Sequence, residues 1–170
     1  MTVDSRGGIA LLNAMPEPDA MAWFLGCCAS KRWASEVAAG RPYADGDALL
    51  AAGRDASAAL DWPDVHEAML AHPPIGERPA GSGRDATWSR AEQSGMDSAD
   101  DRVRAELAAA NRAYADRFGH VFLICATGLS SGQMLVALRA RLGNSPEAER
   151  ALVRTELIKI VRLRLAKALR

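Results

Sequence analysis

This chain has no excess of positive or negative charge. Lys+Arg and Asp+Glu number 21 each, so the formal net charge is zero. Nothing steers the whole protein toward nucleic acid or an anionic membrane. Cysteine is scarce: Cys27 and Cys28 are adjacent and Cys125 stands alone. That is neither a disulfide framework nor a metal-ligand spacing, and it points to a reducing interior. Long apolar runs are missing too. The stretch 121–127 is too short to span a bilayer, and no secretory run follows the first eight residues. The chain ends in Leu169 and Arg170, without a peroxisomal Ser-Lys-Leu signal. The expected location is therefore the cytoplasm.

Missing motifs exclude further chemistries. There is no His-Glu-x-x-His or Cys-x-x-Cys, and His66 and His72 lie six apart across a helix end, so no metal site is expected. Gly81-Ser82-Gly83 lacks the lysine and the strand–helix context of a phosphate loop. No Gly-x-Ser-x-Gly elbow is present. The last two helices superficially suit a helix-turn-helix, but neutral charge and the apolar side of the final helix oppose it. No internal repeat or low-complexity tract appears.

What is present is an apolar fraction of 49% in 170 residues, enough for one domain over 1–170 with a core that needs no staples. The pattern predicts an all-α fold of seven to nine helices. Short helices are expected at 8–13 and 18–27, then one capped by Ser30 to about residue 39. Residues 46–60 are helical in one or two pieces, and Trp62-Pro63-Asp64 opens a helix to about 71. Residues 76–87 read as a loop, with helix resuming around 88–94 behind Thr87 or Ser89. Ser98 or Asp100 caps a long helix to about Phe118, with Gly119 just past its end. The apolar run 121–127 has strand-like composition but no partner strand, so it is expected as a buried extended or helical connector. A further helix ends at Gly143. Ser145-Pro146 then starts a final helix of roughly 24 residues, about 36 Å long. Trp23, Trp33, Trp62 and Trp88 are read as core.

That final helix carries an anomaly. Val153, Leu157, Ile160, Val161 and Ala168 form an apolar stripe, and Arg164 falls inside it, whereas Arg162 projects to the other side. A guanidinium there needs an acid, a carbonyl or a bound anion. A buried ion pair, snorkelling near the helix end and bidentate recognition of a substrate all satisfy it. His72 stands at a helix end against two prolines that fix its direction, with a pKa suited to proton transfer. His66, inside a helix, reads as structural. Glu92 and Gln93 beside a histidine offer an acceptor for the imidazole and an amide for a planar heterocycle.

Read together, HPPIGE at 72–77, SRAEQSG at 89–95, NRAYADRFGHVFLICATG at 111–128, RLGNSPEAE at 141–149 and KIVRLRLAKAL at 159–169 resemble the 2-oxo-4-hydroxy-4-carboxy-5-ureidoimidazoline (OHCU) decarboxylase family. MAWFLGCCASKRWASEV at 21–37 fits its opening helices. The ordered set spans nearly the whole chain. The resemblance implies a compact helical enzyme of urate degradation that forms (S)-allantoin without metal or organic cofactor. Residue by residue, it implies His72, Glu92 and Arg164 as catalytic residues, and Pro73, Ser89 and Gln93 as substrate contacts. The backbone at Ile124, Cys125, Ala126 and Thr127 is implied to touch the substrate ring. The implied partner is a small-molecule acid. Relatives are often dimers, which raises a homodimer.

Pro74, Ser94 and His120 depart from the family's usual residues, none at a principal catalytic position. The absent peroxisomal tail, short termini and the bias to alanine and arginine look bacterial. Two other readings compete: a non-catalytic binding protein for a small acid, and a helical regulatory module.

Overall fold

The computed structural model describes residues 5–77 and 83–170, without the side chains of residues 5, 6 and 85. Among the described residues there are nine α-helices, one short 3-10 turn and no strand. The helices are α1 (Ser5–Ala14), α2 (Glu17–Leu25), α3 (Lys31–Ala39), α4 (Gly46–Ala59), α5 (Trp62–Met69), α6 (Arg84–Glu92), α7 (Asp101–Phe118), α8 (Ser131–Arg141) and α9 (Pro146–Ala168), with the 3-10 turn at Ser94–Met96 after α6. No helix among the described residues is long and apolar enough to cross a membrane. Two compact units are present: one comprises the residues up to Ala68 with Leu157–Arg170, the other Met69–Glu156.

In the first unit, Ser30 caps α3 by accepting the Trp33 N–H at 3.2 Å, and Asp45 caps α4 through the Ala48 N–H at 2.8 Å. Trp33 is fully buried. Its indole N–H donates to the Gly53 carbonyl at 2.9 Å, and Phe24 meets its ring edge-on. The C-terminal stretch 157–170 contributes Leu157, Ile160, Val161, Leu165 and Leu169 as buried residues, and Arg164 in it is buried too. Periodicity had placed it there. Trp23 and Trp62 in this unit, and Trp88 in the other, are only half-buried. Of the four, Trp33 alone is fully buried.

In the second unit, Ile75, Met96, Leu107, Tyr114, Phe122, Met134 and Leu138 form the core. Asp100, rather than Ser98, caps α7 at Val103 (2.8 Å), and Gly119 ends it in the left-handed conformation (φ 74°). Ser130 and Gln133 form a reciprocal capping box on α8. Residues 121–126 are neither helix nor strand, with Phe122, Leu123 and Ala126 buried.

Some boundaries differ from the sequence reading. The helix from Trp62 stops at Met69 rather than about residue 71, while 46–59, expected in one or two pieces, is one. More substantially, α6 begins at Arg84, so Thr87 and Ser89 lie inside it rather than capping it. The Thr87 hydroxyl donates back to the Gly83 carbonyl at 3.1 Å, a bond that helical threonines make within the helix. Residues 78–82 of the expected loop, and with them most of Gly81-Ser82-Gly83, lie outside the described residues.

Candidate active site

His72 sits just beyond α5, where its backbone N–H donates to the Met69 carbonyl at 2.9 Å. Two prolines follow, and the chain then turns: the Glu77 N–H donates to the Pro74 carbonyl at 3.0 Å. Gly76 occupies the third position of that turn at φ 90°, the positive value a type II turn requires there.

Side chains from two helices hold this irregular segment. Gln93, at the C-terminal cap of α6, accepts the Gly76 N–H through Oε1 at 2.9 Å. Asn111 of α7 donates to the Ile75 carbonyl at 2.9 Å. The HPPIG segment is therefore tied to the Glu92-Gln93 segment, 17 residues away in sequence. On α6, Ser89 and Glu92 are three residues apart and share a face. Both are buried, at 4% and 8% exposure.

A cleft of about 320 Å³ is lined by Ser89 and Gln93 together with Gly76, Met96 and Arg104. Arg104 is anchored by bonds to the Met96 and Ala99 carbonyls at 2.5 and 3.1 Å. His72, Pro73 and Glu92 do not line this cleft. His72 and Pro73 are half-buried. None of His72, Ser89, Glu92 or Arg164 is an unpartnered side chain.

The segment 124–127 lies in the same unit. Ile124 and Cys125 are half-buried, Ala126 is buried and Thr127 is exposed. The Cys125 N–H donates to Glu156 at 2.8 Å, and the Ala126 carbonyl accepts the Leu129 N–H at 3.0 Å. Two of this segment's backbone groups are thus already committed within the protein.

Arg164 belongs to the other unit, at 3% exposure, while Arg162 is exposed. Its charge reaches Cys28. Burial pushes the Cys28 thiol up to about 11, against the opposing pulls of a Ser30 hydrogen bond and of Arg164.

Sequence reasoning missed a buried polar cluster next to 121–126. Arg141 donates from Nε to Glu149 at 2.7 Å. Its Nη2 also approaches that carboxylate at 2.5 Å, out of line for a hydrogen bond. Its Nη1 donates to the Leu123 carbonyl at 2.7 Å. Glu149 is fully buried. It also accepts from the Tyr114 hydroxyl and from Asn144 at 2.8 Å. Burial alone would raise the Glu149 carboxyl, but bonds from Arg141, Tyr114 and Asn144 outweigh it and hold the pKa below the ordinary value. Burial and the neighbouring carboxylate drive the Tyr114 hydroxyl far up. The available signal was a charged residue on each side of the Gly143-Asn144-Ser145-Pro146 turn. Glu149 reads first as a partner for the helix dipole. Among the described residues no cluster of three or more His, Cys, Asp or Glu could hold a metal ion.

The sequence profile of OHCU decarboxylase matches residues 13–166. The chain belongs to the OHCU decarboxylase family. The 2-oxo-4-hydroxy-4-carboxy-5-ureidoimidazoline decarboxylase of Amia calva is 33% identical over 134 residues, 78% of this chain and 77% of that protein. The uric acid degradation bifunctional protein TTL of Arabidopsis thaliana is 34% identical over 145 residues; the match covers 83% of this chain but only 44% of the plant protein. A crystal structure of OHCU decarboxylase in the presence of (S)-allantoin superposes with a TM-score of 0.75 at 32% identity, covering 86% of this chain and 96% of that one. An (S)-allantoin synthase structure shares the fold at a TM-score of 0.69 and 20% identity, covering 94% of this chain and 53% of its own.

Proposed function

We propose that this chain decarboxylates OHCU to (S)-allantoin as a step of urate degradation, with no metal or organic cofactor. Membership of the family names the reaction class. The observation that carries the reading to particular residues is the hydrogen bond from Gly76 to Gln93, which ties the histidine-bearing turn to the helix that carries Ser89 and Glu92.

The substrate bears a carboxylate and a hydroxyl on one ring carbon, next to a C=N bond. When the bond to the carboxylate breaks, carbon dioxide leaves and the electron pair flows into the C=N. The resulting enol takes up a proton on the ureido-bearing carbon as its hydroxyl becomes the carbonyl. The balance is one proton in and one carbon dioxide out. The ring is its own electron sink, which leaves the protein to hold it, orient the carboxylate and deliver a proton to one face.

In this reading His72 engages the hydroxyl and carboxylate region and moves the proton, and Glu92 orients the imidazole. Arg164 holds the carboxylate or ureido oxygens as a bidentate donor. Ser89 and Gln93 read polar atoms of the ring, Pro73 shapes the turn beside it, and the backbone at Ile124, Cys125, Ala126 and Thr127 lies against it. Gln93 already spends its carbonyl on Gly76, so its amide N–H groups are the ones assigned to the ligand. The reading extends to one functional domain over 1–170, a cytoplasmic location, a bacterial source and a homodimer.

The test generates the substrate in situ from urate with urate oxidase and 5-hydroxyisourate hydrolase, adds this protein, and follows the optical activity of the product. Accelerated formation of one hand of allantoin is expected. His72→Gln should keep the fold and lose about 10²–10⁴ in rate. Wild-type turnover by that variant rejects the role of His72. Substrate binding without acceleration by the unaltered protein rejects the enzyme in favour of a binding protein.

A further inference from the structure

The connector 121–126 has neither helix nor sheet to satisfy its backbone, yet three of its residues are buried. Buried backbone groups need partners, and charged side chains supply them here. Arg141 clamps the Leu123 carbonyl at 2.7 Å, and its guanidinium lies 4.6 Å from the centre of the Phe122 ring. Glu156 accepts the Cys125 N–H at 2.8 Å. Arg141 is itself fixed by Glu149, whose remaining capacity is filled by Tyr114 and Asn144.

Such a cluster is a poor way to gain stability. Desolvating two charges costs several kcal/mol, and well-packed apolar residues of the same volume often serve as well or better. An apolar replacement would lack one thing: a donor fixed in direction at the Leu123 carbonyl. We propose that Arg141 and Glu149 are positioning residues for the decarboxylation. Glu149 orients the guanidinium, and the guanidinium fixes Leu123, so that the next residues present their backbone to the substrate ring in one orientation. The inference rests on the reading that 124–127 touches that ring.

The experiment compares Arg141→Lys and Glu149→Gln with the unaltered protein, using Arg139→Lys as the control. Arg139 is on the same helix but pairs with Glu106 at the surface. Three readouts are taken: kinetics on OHCU, enantiomeric purity of allantoin at saturating enzyme, and hydrogen exchange along the chain. Arg141→Lys keeps the charge and loses the forked geometry. It should lower kcat/KM about 10–100-fold, reduce the optical purity of the product and speed exchange in 121–128, while α7 and α8 stay protected. Glu149→Gln should move all three the same way, and Arg139→Lys none of them. Unchanged exchange in 121–128, unchanged optical purity, or loss of protection spread evenly over α7, α8 and α9 would each overturn the proposal. Exchange is read without substrate. A protein inactive on OHCU but with selective loosening of 121–128 would therefore refute the functional reading and keep the clamp, whereas an active protein with no selective loosening would do the reverse.

Discussion

Gly95 is a residue whose replacement should damage both stability and activity, and the reason is a distance. A Cβ at this position would stand 1.9 Å from the Leu129 carbonyl oxygen, 3.0 Å from its carbon and 3.1 Å from Cε of Met134. Relieving the first contact takes at least about 1 Å of movement of backbone against backbone. Neither side yields easily. The Leu129 N–H is bonded to Ala126 and the next residue caps α8, while Met134 is fully buried. On the other side, the Gln93 carbonyl accepts the Met96 N–H at 2.9 Å, and the Gln93 side chain holds Gly76. The displacement therefore passes into the end of α6, where Glu92 and Gln93 sit.

Overpacking of this kind costs about 1–3 kcal/mol. For a chain of this size that lowers Tm by roughly 2–12 °C. A shift of about 1 Å in groups that hold a substrate costs on the order of 10²-fold in rate. Gly95→Ala should show both losses, by thermal unfolding followed by circular dichroism and by the coupled allantoin assay. Gly7→Ala is the matched control: it lies in α1 with nothing within 4 Å of a new Cβ. It should stabilise by about 0.5–1 kcal/mol and leave turnover unchanged. A Gly95→Ala protein with the parent's Tm and rate would show that the close approach to Leu129 positions nothing.

The pH dependence of stability should carry two signatures of the buried cluster. Glu149 has its folded pKa held below the ordinary 4.5, so its contribution is complete above that value and lost as pH falls below it; denaturant titrations across pH 2–5 should find a flatter acid limb in Glu149→Gln, and identical limbs would refute the assignment. Tyr114 has its folded pKa raised above 10, so its contribution is complete below 10 and lost as pH climbs through the raised value; Tyr114→Phe should flatten the alkaline limb, and an unchanged limb counts against it. Thiol labelling should discriminate among the cysteines: Cys27 and Cys28 are buried, Cys125 is half-buried, and the Cys28 thiol stands near 11, so at neutral pH Cys125 should react before the other two, all three reacting in denaturant. Equal rates for Cys28 and Cys125 in the folded protein would contradict the burial.

Local signals in the sequence specify local structure well. Ser30, Asp100, Gly119 and Ser145-Pro146 each mark a helix end, because capping needs only one side chain within a turn of the groups it satisfies. The burial of Arg164 was legible for a similar reason: a 3.6-residue stripe is a property of one helix. The start of α6 was not legible, because Arg84 to Thr87 show no apolar period and the cap residue Gly83 offers no side chain. The Arg141–Glu149 cluster was invisible because its logic is pairwise across space. Tyr114 reads as one more apolar position of α7, and Arg141 as an ordinary basic residue near a helix end. Gln93 was legible as a candidate ligand contact, but not as the residue that fixes Gly76.

These misses share a cause. A helix consumes its own backbone groups, so an all-helical enzyme that meets a ligand with main-chain donors and acceptors must leave the helix to expose them. Two irregular segments of the second unit are 72–77 and 121–126. Each removes backbone from a self-satisfying geometry in surroundings that are partly dry, where an unpaired group costs about 1–3 kcal/mol. Each is compensated by polar side chains projecting from neighbouring helices. Gln93 and Asn111 serve the first, and Arg141 and Glu156 the second. These side chains do for the irregular segments what a neighbouring strand does in a sheet, with one difference. A ladder fixes a strand along its length, whereas single side chains fix one carbonyl or one N–H and leave the groups between them available. The proposed substrate contacts fall in or beside those two segments, so the residues that hold the backbone there should be as intolerant of substitution as the residues that touch the substrate.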